Sequence, residues 1–94
     1  MSVEDTLNER HNQHGDFRKH AFYTDEMKRV LRLGLNWEKL SPSQRESLDM
    51  IAHKIGRILA GDPDHSDHWH DIAGYATLVD KQLTIDKTWV TPPQ

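Results

Sequence analysis

A chain of 94 residues fits one domain, and with only 35% apolar residues its core is thin. Twelve Lys and Arg stand against fifteen Asp and Glu, a formal net charge of −3 that argues against broad electrostatic binding to nucleic acid or an anionic membrane. The absence of cysteine excludes disulfides and thiolate zinc sites and suits a reducing, cytoplasmic compartment. Seven histidines would turn −3 into +4 if all were protonated, so the charge depends strongly on acidity. The opening Met1-Ser2-Val3-Glu4-Asp5 lacks the apolar run of a signal peptide, and no eighteen apolar residues stand together, so no membrane span is expected.

The pattern predicts an all-α bundle of about four helices forming a single domain over 1–94. Its core spans about 9–83, and 84–94 form an extended C-terminal tail. A core this thin is expected to be completed by further copies of the chain, as a homo-oligomer. Residues 3–13 read as a short polar helix whose only apolar pair is Val3 and Leu7. His14-Gly15-Asp16-Phe17 then reads as a turn, because Gly permits positive φ and Asp favours local turns. Thr24 is the expected N-cap of a second helix, with Asp25 and Glu26 in its first turn and Met27, Val30 and Leu31 along one side. Gly34 and Asn36 end it, and Trp37 and Leu40 pack at the crossing to the next helix.

The third helix has the clearest start in the chain. Ser41 is the N-cap, Pro42 sits at the first helical position, and Gln44 completes a capping box. Leu48, Ile51, Ala52, Ile55, Ile58 and Leu59 recur at helical spacing, and Gly61 followed by Asp62-Pro63 stops the helix. The fourth helix starts between Asp64 and Asp67 and runs to about Leu83, with Trp69, Ile72, Ala73, Ala76, Val79 and Leu83 as its stripe.

At about 100° per residue the stripe of the third helix covers an arc of about 120°. Glu46, His53 and Arg57 lie opposite, flanked by Asp49 and Lys54. A solvated face laced with pairs such as Asp49 and His53 is the ordinary explanation. Met50, Gly56 and Ala60 also lie off the stripe, however, and small residues there would let another backbone come close. On the fourth helix Asp67, Asp71, Gly74, Tyr75 and Leu78 lie opposite the stripe.

Glu46, Asp49, Asp67 and Asp71 together would suit Mg²⁺ or Mn²⁺, hard ions that take oxygen ligands. Lys54 and Arg57 would neutralise phosphate, and Tyr75 would offer a flat face to a base. In an antiparallel hairpin the two acidic pairs stand at opposite ends. Bringing them together needs strong splay or a second copy. His65 and His68, at i and i+3, form a separate candidate pair for Zn²⁺ or Ni²⁺.

The block from Gln44 to Leu59, followed by Gly61-Asp62-Pro63 and Asp67-His68-Trp69-His70-Asp71-Ile72-Ala73-Gly74-Tyr75-Ala76, resembles a family of small phage and prophage proteins of unassigned function. His14-Gly15-Asp16-Phe17 is similar to that family's Tyr-Gly-Asp-Phe element, and the likeness covers about residues 9–80. More distantly, the layout resembles the MazG-like all-α nucleoside triphosphate pyrophosphohydrolases, helical dimers or tetramers that hold Mg²⁺ with E-x-x-E on one helix and E-x-x-D on the next. The resemblance implies a bacterial host cytoplasm and metal ligation by Glu46, Asp49, Asp67 and Asp71; in the enzyme reading one of these acids serves as base, with Glu46 the catalytic candidate. In that reading Lys54 and Arg57 bind the nucleotide's phosphates, and Tyr75 or Trp69 contacts its base. The chain departs from the motif, with E-x-x-D in place of E-x-x-E and D-x-x-x-D in place of E-x-x-D. Two functions are therefore expected to compete: a Mg²⁺-dependent pyrophosphohydrolase, and a non-catalytic helical module that binds a nucleotide or a host protein.

Overall fold

The structure, a computed structural model, describes residues 2–88. Four α-helices follow one another, α1 (Val3–His14), α2 (Phe17–Leu33), α3 (Pro42–Ala60) and α4 (Ser66–Thr88), with a single 3₁₀ turn at Trp37–Lys39. No strand occurs among the described residues, so the expected all-α bundle stands. Helix α3 is central: α2 packs on one side of it and α4 on the other, while α1 crosses its C-terminal end. No helix among the described residues is long and apolar enough to cross a membrane.

The capping chemistry of α3 is as the sequence predicts. The Ser41 hydroxyl accepts from the Gln44 N–H (3.2 Å), and the Ser41 N–H donates to the Gln44 side chain (2.8 Å). Helix α1 has a second capping box of the same kind, between Ser2 and Asp5.

Helix α2 corrects the sequence reading. It starts at Phe17, two turns before the expected Thr24, and its cap is Asp16, whose carboxylate accepts from Arg18 N–H (2.8 Å) and Lys19 N–H (3.3 Å). Those bonds, the one from Lys19 foremost, hold the Asp16 carboxyl below its ordinary range. Thr24 is a buried mid-helix residue. The first two turns of α2 face inward with His20 and Thr24, both polar, so no apolar stripe marks them.

That inward face meets Gly56. A Cβ at position 56 would run into Thr24 Oγ1 and stand 2.8 Å from His20 Cδ2, so α2 and α3 approach through the missing side chain. Gly56, off the α3 stripe, thus admits the Thr24 and His20 side chains of α2, with the His20 carbonyl 3.3 Å from where its Cβ would stand. Asp49 does not pair with His53: both its oxygens accept from Arg32 of α2, at 3.1 and 2.9 Å. Trp37 is buried at the α2–α3 crossing, with the Arg32 guanidinium 4.7 Å from its ring centroid and its carbonyl accepting from Arg45 Nε at 3.0 Å.

Two further readings change. Helix α4 continues to Thr88, so 84–88 are helical and not part of an extended arm; the rest of the predicted tail, 89–94, lies outside the described residues. Trp69 on the α4 stripe is exposed, its indole N–H donating to the Pro63 carbonyl (2.8 Å), whereas its neighbour His68 is the buried residue. The apolar core is as thin as composition suggests. Trp37 and Ala52 are the buried apolar residues among those described.

Candidate phosphate-binding cleft and the predicted acidic residues

Four helix ends meet at one joint, the C-termini of α1 and α3 and the N-termini of α2 and α4. The α1–α2 turn lies on the C-terminal end of α3 so closely that a Cβ on Gly15 would strike the Ala60 carbonyl, and one on Gly61 would strike the His14 backbone. Gly15 also has φ of +82°, in the left-handed region that glycine favours. The Asp62 N–H donates to the Gln13 carbonyl (3.3 Å), tying the α3–α4 turn to α1. The N-terminal turn of α4 inserts His68, which is 2% exposed.

His68 Nε2 is 3.1 Å from the Gln13 carbonyl and 3.4 Å from His14 Nδ1. A carbonyl only accepts, so the hydrogen is assigned to His68 Nε2, and His14 Nδ1 faces it as a lone pair. His65 packs against His68, ring centroids 4.8 Å apart. Deeper between α2 and α3, His20 Nε2 donates to the His53 carbonyl (3.2 Å).

Beside this joint opens a cleft of about 500 Å³, walled by Leu7, Arg10, His11 and His14 of α1, Phe17 and His20 of α2, and Arg57 of α3. No carboxylate lines it. Neither Arg10 nor Arg57 has a carboxylate partner among the described residues, since the ion pairs there join other groups. The charge shows in the imidazoles. Burial first, then the Arg57 guanidinium, push His14 down to about 4 from an ordinary 6.5, and burial also lowers His20. Phe17, 77% exposed, offers a ring at the rim. Chemically the cleft is a concave, cationic, water-accessible wall with an aromatic edge.

The residues singled out from sequence fall in separate places. Arg57 stands in the cationic cleft. Lys54 is mostly buried and bonded to Asp71 at 2.9 Å, which lowers the Asp71 carboxyl and commits both groups. Asp49 belongs to Arg32, which holds its carboxyl low. Asp67 is 78% exposed at the side chain and stands 3.6 Å from His65 Nε2. Glu46 and Tyr75 come together, lining an open groove of about 830 Å³ with Ser47, Leu78 and Val79.

The antiparallel α3–α4 hairpin explains the scatter. Glu46 precedes Lys54 by eight residues, about 12 Å along the helix at 1.5 Å per residue, and Asp71 sits beside Lys54. Asp67 lies about 6 Å beyond that, in the opposite direction from Glu46. Within one chain the described residues contain no group of three or more His, Asp or Glu side chains arranged to hold a metal ion. The donor set expected for Mg²⁺ therefore does not fit it in a single copy, and the same holds for His65 and His68 as a Zn²⁺ or Ni²⁺ site.

Sequence reasoning missed Arg10 and Phe17 and could not place His11, His14 and His20 on one surface. The signal was present: Leu7, Arg10, His11 and His14 stand at i, i+3, i+4 and i+7, one face of α1. It was masked because that face is polar. Comparison with known protein families, curated proteins and solved structures finds no match.

Proposed function

We propose that this chain is a MazG-like, nucleotide-binding helical protein that holds its ligand's phosphates in the α1–α2–α3 cleft, with Arg57 and Arg10 as the anion contacts and Phe17 as a stacking surface. The carrying observation is the charge imbalance of that wall, which has two arginines without carboxylate partners among the described residues, three imidazoles and no acid. Such a surface is stabilised by an anion, and arginine's fork matches phosphate oxygens. Losing one charge-assisted contact costs about 1.5–3 kcal/mol, so Arg57→Ala is expected to weaken nucleoside triphosphate binding at least ~10-fold by calorimetry. Equal affinity in the variant would reject the assignment.

Hydrolysis is the competing reading of the same family resemblance. The carboxylates of one chain are spread and partly paired, so a Mg²⁺-dependent centre would have to draw acids from a second copy. Binding without turnover is the expected result when purified protein is incubated with nucleoside triphosphates and Mg²⁺ or Mn²⁺. Pyrophosphate release above a Glu46→Ala control would favour the enzyme instead, whereas silence toward every nucleotide would point to a host protein as the ligand.

A homo-oligomer belongs to this proposal. An apolar trough of about 440 Å³ runs between α2 and α3, lined by Met27, Val30, Leu31, Leu48, Ile51 and Ile55. With Trp37 and Ala52 as the buried apolar residues, the chain needs that surface covered to fold stably. A second copy is the occupant always present in equal amount. Sedimentation is expected to show the parent as an oligomer and Ile51→Glu as a monomer. A monomeric parent would end the idea.

A further inference from the structure

We infer that anion binding in the cleft is coupled to proton uptake by His14, which contact with His68 keeps neutral in the free chain. The inference rests on the phosphate-binding reading above and concerns how that same site is regulated.

His14 has two roles at once. Its Nδ1 lies 3.4 Å from His68 Nε2 inside the joint, while its ring forms part of the cleft wall beside Arg57. The Gln13 carbonyl, 3.1 Å from the same His68 nitrogen, requires the hydrogen to be on His68. A proton added to His14 Nδ1 would then set two N–H groups against each other. The free joint accordingly selects the neutral ring.

The surroundings reinforce that choice. Around His14 stand Arg10 and His11 on α1, His20 on α2, Lys54 and Arg57 on α3, His65 in the α3–α4 turn and His68 on α4. Of the carboxylates near the joint, Asp71 is bonded to Lys54, Asp16 accepts from the Arg18 and Lys19 N–H groups, Asp62 accepts from the Asp64 N–H at 2.9 Å, and Asp67 points largely to solvent, 3.6 Å from His65 Nε2. Burial and these cations place His14 at about 4.

A phosphate group entering between Arg10 and Arg57 reverses the sign of the field at His14. A proton from solvent then adds to Nδ1, the contact with His68 opens, and the imidazolium becomes a third cation on the anion. Burial opposes the charge, but a dianion a few ångströms away in a partly desolvated cleft outweighs it.

The test is a pH titration of the imidazole Hε1 resonances of the full chain by NMR, without and with saturating nucleoside triphosphate. His14 is assigned by sequential connectivity and by loss of its signal in His14→Gln, so the wild-type measurement stands even if the variant folds poorly. The expected result is a His14 midpoint raised by one unit or more when the triphosphate is bound, a tenfold or greater gain in the ligand's affinity for the protonated over the neutral chain. A midpoint that stays in place while the triphosphate binds overturns the coupling and leaves the binding reading intact. No binding at any pH overturns both.

Discussion

Replacing Gly15 by alanine is expected to destabilise the fold by about 3 kcal/mol or more, a fall in Tm of at least ~12 °C for a domain this small. Two costs combine. Backbone with φ of +82° and ψ of −168° disfavours any L side chain, by roughly 1–3 kcal/mol. The added Cβ also overlaps the Ala60 carbonyl and stands 2.7 Å from the Gly61 nitrogen, so the obstacle is the Ala60–Gly61 peptide group and no rotamer change relieves it. The α1–α2 turn must lift, exposing His68 and breaking its bond to the Gln13 carbonyl. Gly74→Ala is the matched control. Nothing lies within 4 Å of a Cβ there, so the substitution should recover helix propensity of about 1 kcal/mol and raise Tm. Thermal melts of the two variants check both signs. A Gly15→Ala chain melting within a few degrees of the parent would contradict the docking of this turn on α3.

Stability is expected to fall as pH drops below about 6.5, above the range in which ordinary carboxylates titrate, and to go on falling toward 4, where the carboxylates join in. His14, His20 and His53 all have folded-state values below the 6.5 of an unfolded histidine, through burial first in each case. The unfolded chain therefore binds more protons, and stability is fully present above about 6.5 and lost as pH falls through the folded values. For His14, at about 4, the partly exposed ring contributes on the order of 1–2 kcal/mol once solvent screening is allowed for. Asp49 and Asp71, lowered by Arg32 and Lys54, add a second loss that begins as pH falls below about 5. Urea midpoints at pH 7.5, 6, 5 and 4.5 should decline steadily, with a shallower slope in His14→Gln. A flat profile would mean the imidazoles are freely solvated. Saturating phosphate ligand should offset part of the decline, since it favours the protonated ring in the folded state.

Local chemistry made some elements plain and hid others. The boundaries of α3 follow from Ser41, Pro42, Gln44 and Gly61, because caps act within one turn of the chain and need no distant partner. Gly56 and its small neighbours were legible as a place of close approach. The start of α2 was hidden because its first inward residues, His20 and Thr24, are polar, and an apolar pattern search passes over them. The cleft was hidden for the same reason: the face of α1 that builds it carries Arg10, His11 and His14, which read as a solvated surface until α3 supplies Arg57 opposite.

What the amino-acid order determined by itself is the helical class, the caps of α3, the thin core and the surplus of histidine. Which charges meet was decided only by the tertiary structure. Asp49 met Arg32 and Asp71 met Lys54, while Arg57 was left facing imidazoles. The reason is geometric: an antiparallel hairpin separates the starts of successive helices by nearly their full length, so acids that look paired along the chain end far apart, and residues around the α1–α2 turn come to share one wall with Arg57, far along the chain.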